Sequence, residues 1–377
     1  MAKLDMKDKK QVYVFRTLPF TADSRVKRYL SLFPESSEVV FKTWEKENIS
    51  VDNVKPYPFL KGGYVVKKIL NAIGYQLFSL YQFIKLNNGD VAVFMDLDAA
   101  YLSIMFKWLN PGVTAIFDIV DPISQTKGLR FSLLHKIIDR LEFKIAVKSD
   151  LCIVPHSCRI EYYYNRLNVG KSHKLNSFVL ENVPDKFSIT QEATKNEDKI
   201  SIGYFGTLDP HTRGLEELIK FGIEKCNINV ILAGDGGLKE IVQEAAAANA
   251  NIYYLGLYNY KDLQDMYNKV DFTWAYYCPK VSLHEYACPN KYFEHIMFTT
   301  PIITNKIIPQ AQAVIANNSG IVLNIIDDIF NDDFTSGLDS FKSNSLHIQD
   351  KLKASRFKYS SYYQNKAIEF SEKLAKL

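Results

Sequence analysis

The sequence predicts an α/β protein of two doubly wound domains. Three observations carry this. Short apolar runs alternate with helical patterns along the whole chain. The runs are near-continuous in Val, Ile, Leu and Phe rather than alternating, as strands buried on both faces require. The alternation occurs twice within 377 residues, a length that suits two domains. A chain that is 47% hydrophobic and 23% charged is not disordered as a whole, and 17 Gly with 13 Pro exclude collagen-like or low-complexity classes.

In the first half the expected strands are 11–16, 38–41, 91–95, 113–117 and 151–154. Helices are expected near 23–33, 65–86, 99–108, 129–148 and 157–167. The second half repeats the plan, with strands at 200–205, 229–233, 252–255, 271–275, 301–304 and 321–323. Its helices are expected near 214–224, 237–249, 260–269, 290–298 and 307–317. The stretch 184–199 is polar, contains Pro184, and separates two strand-like runs, so the domain boundary is expected there. The domains expected are 1–187 and 188–350. A last basic helix, 351–377, is expected to pack back on the first domain.

Charge is uneven. Residues 1–190 carry 27 Lys/Arg against 19 Asp/Glu, and residues 191–377 carry 19 against 23. A basic half suits nucleic acid, an anionic membrane surface or an anionic substrate. No nucleic-acid-binding module accompanies it, so nucleic acid is not an expected partner. Five cysteines without close pairs argue against a disulfide framework. The start of the chain has no signal-peptide core. The longest apolar region, 69–84, is interrupted by Asn71, Gln76, Ser79 and Gln82 and falls short of the ~20 residues that span a bilayer. A reduced, cytoplasmic protein is expected.

Ligands of open α/β sheets bind beyond the carboxyl ends of the strands, and with two such domains the natural site is the cleft between them. Chemistry should therefore follow strands directly. In the run from Gly203 to Leu218 (GYFGTLDPHTRGLEEL) a strand ends at Gly206, and Arg213-Gly214 opens a helix. Gly206 lets a ligand approach the backbone, and Arg213 offers a permanent planar cation for phosphate oxygens, or else is simply solvated. Leu232–Gly237 (LAGDGG) is again strand, glycine turn and helix; it is not a Walker A loop, because no Gly-Lys-Ser/Thr follows. Pro289 and Asn290 start a third helix. Lys291 then sits in its first turn, where a cation opposes the helix dipole unless an anion occupies the helix end. Glu294, one turn on, could accept two hydroxyl hydrogen bonds of the kind a ribose presents, or serve as an ordinary N-terminal acid.

Together and in this order these pieces resemble the C-terminal half of retaining glycosyltransferases of the family-4 type, which have the GT-B fold. The residues are Gly206-Thr207-Leu208…Arg213-Gly214, Gly234-Asp235-Gly236, Tyr254-Leu255-Gly256, Val270-Asp271, and Pro289-Asn290-Lys291…Glu294 with Pro301-Ile302-Ile303. They span about residues 200–323. In the first half, Asp23-Ser24-Arg25-Val26 and Glu181-Asn182-Val183-Pro184-Asp185 look like elements of such enzymes.

The resemblance implies two Rossmann-like domains, an N-terminal acceptor side and a C-terminal side that binds a nucleotide diphosphate sugar. It implies that Glu294 binds ribose hydroxyls, that Arg213, Lys291 and amides near Pro289 and Asn290 hold the diphosphate, and that backbone at Gly256 and Leu257 meets the base. Gly206, Thr207 and Gly234 would line the donor. The acceptor would be a saccharide or a lipid-linked acceptor in surface-polysaccharide or glycolipid synthesis. No cofactor beyond the donor and no metal are implied. Three departures stand out. Thr207 occupies a position that is often basic in the family. The family's earlier Glu falls on Tyr286, with Glu285 one residue out of register. The glycines common in the first N-terminal loop are replaced by Arg16-Thr17-Leu18-Pro19. A non-catalytic nucleotide-sugar-binding subunit, or an epimerase of the same fold, is the alternative.

Other groups carry chemistry of their own. Asp96-Leu97-Asp98 after a strand could hold Mg²⁺ or Mn²⁺, as in GT-A enzymes, but a helix-capping loop fits the rest of the chain better. Asp118 and Asp121 end another strand and are candidates for orienting or deprotonating an acceptor hydroxyl, alongside ordinary turn chemistry at Pro122. Cys278, His284 and Cys288 have no CxxC spacing and make a poor zinc signature. Lys136, Arg140, Lys144 and Lys148 recur every fourth position beside Leu133, Ile137 and Leu141. This is a basic amphipathic helix, either solvated or docked on an anionic membrane, and with 65–86 it forms the expected seat of a lipid-linked acceptor.

Overall fold

Among the described residues of the computed structural model, the apolar runs pair into two parallel six-stranded sheets. Residues 11–20, 23–33, 37–44, 52–55, 57, 65–126, 132–169, 175–184 and 199–377 are described. Most of the expected boundary stretch (185–198, with Asp185), the charged start (1–10) and the first residues of the helix expected over 129–148 lie outside the described residues.

Two compact units divide the chain: residues up to Glu181 together with Tyr362–Leu377, and Asn182–Ser361. Unit one runs β1 (Gln11–Arg16), α1 (Ser24–Leu32), β2 (Glu38–Thr43), α2 (Val65–Ile84), β3 (Val91–Met95), α3 (Leu97–Met105), β4 (Thr114–Asp118), α4 (Ile123–Thr126), α5 (Ser132–Lys148), β5 (Leu151–Val154), α6 (Cys158–Leu167) and β6 (Ser177–Val179). Its strand order is β2-β1-β3-β4-β5-β6.

Unit two runs β7 (Ile200–Phe205), α7 (Leu215–Glu224), β8 (Ile228–Ala233), α8 (Lys239–Ala248), β9 (Ile252–Tyr254), α9 (Leu263–Tyr267), β10 (Phe272–Ala275), α10 (Asn290–Met297), β11 (Ile302–Asn305), α11 (Ala311–Asn317), β12 (Gly320–Leu323), α12 (Asp332–Ser343) and α13 (Ser345–Tyr359). Its order is β12-β11-β10-β7-β8-β9. Every residue of β7 and β8 is buried, which is why these strands read as continuous apolar runs. Trp274 on β10 is fully buried in a core built from β7, β8, α7 and α12.

The order of strands reverses once in each sheet. In unit one the reversal lies between β1 and β3, and in unit two between β7 and β10. Helices leave to opposite faces there, so a crevice opens at the carboxyl ends.

Helix ends differ from the expectation where local chemistry intervenes. The helix expected over 307–317 starts only at Ala311, because Pro309 disfavours helical geometry at Ile308. The helix expected over 260–269 is a 3-10 turn boxed by Asn259 and Asp262, followed by the single-turn α9. The helix expected over 351–377 is two helices. It breaks after Tyr359, where the Ser360 hydroxyl donates to the Phe357 carbonyl at 2.7 Å, and α14 (Tyr362–Leu374) follows. No helix among the described residues is long and apolar enough to cross a membrane.

Candidate functional site

Three neighbouring strands of unit two end on glycine, and their loops interlock. The Gly206 amide after β7 donates to the Ala233 carbonyl at 3.0 Å, and the Gly234 amide after β8 donates to the Gly256 carbonyl at 2.9 Å. The Tyr254 hydroxyl adds a bond to the Gly234 carbonyl at 2.8 Å. Gly234 has φ +132°, and a Cβ there would lie 1.8 Å from the Gly206 carbonyl oxygen. Only glycine fits that approach. Gly256 has φ +75° with open space where a Cβ would project, and Leu257 beside it is 73% exposed. Thr207 is exposed, and its carbonyl accepts the Tyr204 hydroxyl at 2.7 Å.

Two cations meet at the β7/β10 reversal. Lys291, in the first turn of α10, is buried; its ammonium donates to the Phe205 carbonyl and lies 4.6 Å from the Tyr204 ring centre. Burial lowers its pKa, Glu294 opposes that, and Arg213 lowers it further. The two cations thus feel each other. Arg213 leaves the loop after β7. Its carbonyl accepts the Trp274 indole N–H at 2.8 Å, and its guanidinium stacks 4.4 Å over Tyr277.

Arg213 Nη1 lies 3.1 Å from His284 Nε2, and His284 Nδ1 lies 2.8 Å from the Cys278 carbonyl. A carbonyl only accepts, so Nδ1 carries the proton and Nε2 accepts from the arginine. Burial pushes the His284 pKa down to about 4; the Cys278 carbonyl opposes the shift and Arg213 reinforces it. Both ring nitrogens are engaged, so His284 is not poised as a metal ligand. Among the described residues no cluster of three His, Cys, Asp or Glu is placed to hold a metal ion.

Glu294 is buried one turn beyond Lys291 and accepts the Tyr267 hydroxyl at 2.8 Å. Burial, then the Glu294 charge, raises the Tyr258 pKa. Pro289 is buried and Asn290 exposed at the start of α10, and the Asn182 amide holds the preceding Cys288 carbonyl at 2.8 Å. Glu285 is exposed on the 3-10 turn that carries His284. Among the described residues neither Arg213 nor Lys291 forms an ion pair with a carboxylate. A buried cation without a counterion is costly, so this corner suits an anionic ligand.

The carboxylates of unit one are differently placed. Asp118 is fully buried and receives Arg25 Nη2 at 2.7 Å, Arg25 Nε at 2.9 Å and the Tyr29 hydroxyl at 2.7 Å. It ties α1 to β4 and is closed to a substrate hydroxyl in this structure. Asp121 has a side chain 48% exposed and accepts Arg159 Nη2 at 2.8 Å. Asp96 starts α3 at φ 61° without capping it. Its carboxylate pairs with Arg16 and accepts the Val120 amide at 3.0 Å, while Asp98 accepts the Thr17 hydroxyl at 2.7 Å.

The architecture is shared with solved structures of known proteins. HepE of Anabaena in complex with UDP superposes with TM-score 0.64 at 12% identity, over 98% of this chain and 100% of that chain. Sucrose-phosphate synthase of Thermosynechococcus elongatus gives 0.67 at 11%, over 96% and 98%. An alpha,alpha-trehalose-phosphate synthase (UDP-forming) of Burkholderia vietnamiensis gives 0.65 at 9%, over 98% and 100%. The fold is GT-B. No family model and no curated protein matches the chain. At such identities the likeness speaks for the fold alone.

Within this GT-B chain the structure brings Arg213, Lys291, Glu294, Gly206 and Gly234 to one end of one sheet. His284, Tyr204, Tyr277 and Tyr267 are the additional partners. In sequence His284 stands out only within a poor zinc signature; its pairing with Arg213 is not legible there, because the two are 71 residues apart and no fixed spacing links them. In a chain with 23 Tyr, no single tyrosine stands out in sequence.

Proposed function

We propose that the protein is a retaining glycosyltransferase. It takes a sugar from a nucleotide diphosphate sugar and transfers it to a hydroxyl of a saccharide or lipid-linked acceptor, in surface-polysaccharide or glycolipid synthesis. One observation carries this reading: Arg213 and Lys291 converge at the β7/β10 reversal without a carboxylate partner, with Glu294 one turn beyond.

The chemistry follows from that geometry. The bond between the sugar carbon and the β-phosphate oxygen breaks, the acceptor oxygen bonds to the sugar carbon, and the acceptor proton passes to an oxygen of the departing diphosphate. Negative charge builds on the departing diphosphate, and preorganised cations in a dry site stabilise it as it forms. Glu294 takes the ribose hydroxyls, Gly206 and Gly234 keep side chains away from the donor, and backbone at Gly256 and Leu257 meets the base. Asp121, with its half-exposed side chain, orients the acceptor, while Asp118 is engaged by Arg25 and Tyr29 and holds α1 to β4. The HepE structure contains UDP, and an E. coli trehalose-6-phosphate structure contains UDP-2-fluoro glucose, which makes UDP-sugars the first donors to try. We place the enzyme in the cytoplasm, with the basic face of α5 toward the inner membrane surface.

The test is a thermal-shift screen with UDP-, GDP-, ADP- and CMP-sugars, followed by transfer assays. One donor should raise the melting temperature. Arg213→Ala and Glu294→Ala should each abolish transfer while leaving the fold intact, and activity should survive EDTA. Near-normal turnover in both variants would overturn the assignment. Strict dependence on Mn²⁺ would move attention to Asp96 and Asp98. The position of Glu285, one residue off the family register, favours one further reading, a non-catalytic nucleotide-sugar-binding subunit. Tight donor binding without turnover on any acceptor would establish it.

A further inference from the structure

Helix α2 exposes the wrong residues for a helix facing water. From Ile69 to Ile84 it contains no charged residue. Leu70, Ile73, Leu77, Tyr81 and Ile84 are each 44–55% exposed. At 3.6 residues per turn these five fall within an arc of about 80°. Surface helices of soluble domains put polar groups opposite their core stripe; α2 puts a second apolar stripe there.

The stripe continues across its neighbours. Helix α2 packs on α3, and α3 on α5, so the three form one layer of unit one. Trp108, just beyond α3, is 67% exposed. The exposed face of α5 interleaves Leu134 and Ile137 with Lys136, Arg140, Lys144 and Lys148. The acids of α5, Asp139 and Glu142, are fully buried. Among the described residues of α2 and α5, every exposed side chain is therefore apolar or cationic. By contrast, α14, which packs on α1, exposes Glu369 and Glu372.

We propose that the layer α2–α3–α5 docks on an anionic lipid bilayer, with α2 lying flat and its outer stripe sunk among the headgroups. The charge pattern selects this occupant. The layer offers cations to lipid phosphates and no exposed acid on α2 or α5 to repel them. Its apolar residues run parallel to the surface, and Trp108 and Tyr81 suit the polar–apolar boundary. The stripe from Leu70 to Ile84 is about 21 Å long at 1.5 Å per residue, enough to anchor in one leaflet and too short to span two. The inference rests on the membrane contact of the reading above and adds α2 as the inserting element. The cations of α5 then supply attraction and the stripe of α2 supplies retention.

Vesicle flotation of the full chain tests this without donor or acceptor. Wild type should float with phosphatidylglycerol/phosphatidylcholine vesicles and at least tenfold less with phosphatidylcholine alone. Ile73→Glu/Leu77→Glu should lower binding to the anionic vesicles at least tenfold. Arg140→Glu/Lys144→Glu should lower it most at low salt. Both pairs are exposed, so circular dichroism melts should match wild type, and the nucleotide-sugar thermal shift should persist in both. Loss of that shift in wild type would count against the glycosyltransferase reading and leave the docking result standing. Absence of wild-type flotation, or flotation indifferent to Ile73→Glu/Leu77→Glu, overturns the proposal. So does a dimer in light scattering that this double variant dissolves in the absence of vesicle binding, since a second copy would then be the occupant.

Discussion

His284 is buried between a carbonyl and a guanidinium; burial first, and Arg213 with it, keeps the ring neutral against the pull of the Cys278 carbonyl. A neutral ring satisfies both partners; a protonated one would face Arg213 as a like charge. His284→Ala removes the acceptor that aims Arg213. It should raise the dissociation constant of a nucleoside diphosphate about tenfold, equivalent to ~1.4 kcal/mol, with little change for a nucleoside monophosphate. His284→Gln, which keeps an acceptor, should recover most of the loss; calorimetric titration of the three proteins reads this directly. A pH dependence follows as well. The folded pKa of His284 is about 4 and that of buried His295 about 3, both below the ordinary 6.5. Between those values and 6.5 the unfolded chain binds more protons than the folded one. Stability is therefore full above pH 6.5 and falls as pH drops toward 4. The melting temperature should decline through that window, and less steeply in His284→Gln. A flat profile would contradict the burial of both rings.

At the scale of elements, the glycine-ended strands show how backbone alone can demand a residue. Gly234 approaches Gly206 so closely that any Cβ collides with a carbonyl. Gly234→Ala should cost roughly 3 kcal/mol or more in a denaturant titration, because both the conformation and the contact are forbidden. Gly256→Ala meets no neighbour and strains only its own φ, so it should cost less. Such loops were legible in sequence because glycine next to an apolar run is a local signal. Strand cores were legible for the same reason. Helix starts were less so: Pro309 delays α11 and a capping box shortens α9, each through a bond or clash that periodicity does not register.

At the scale of the whole molecule, chain order and compact unit part company at the end. Helix α14 belongs to unit one, where Phe370 is fully buried between Phe33 and Phe178, at centroid distances of 5.3 and 5.1 Å. The Glu181 amide donates to the Tyr362 hydroxyl at 2.7 Å. Phe370→Ala should cost about 3–5 kcal/mol, and deleting residues 362–377 should lower the melting temperature of unit one while sparing unit two. Retention of wild-type melting after the deletion would contradict the packing of α14.

Residue order by itself determined the α/β class, the two sheets, the glycine-ended loops and the helix that opens with Pro289-Asn290-Lys291. Each is written within one turn or one strand, so neighbouring residues suffice to specify it. Only the tertiary structure decided that His284 orients Arg213, that Arg25 and Tyr29 close off Asp118, that Arg16 claims Asp96, and that α2 turns an apolar stripe outward. Those facts join residues tens of positions apart, or depend on which face of a helix the sheet covers. Packing settles them, because a side chain's partner is chosen by the burial of its whole element and not by its spacing along the chain.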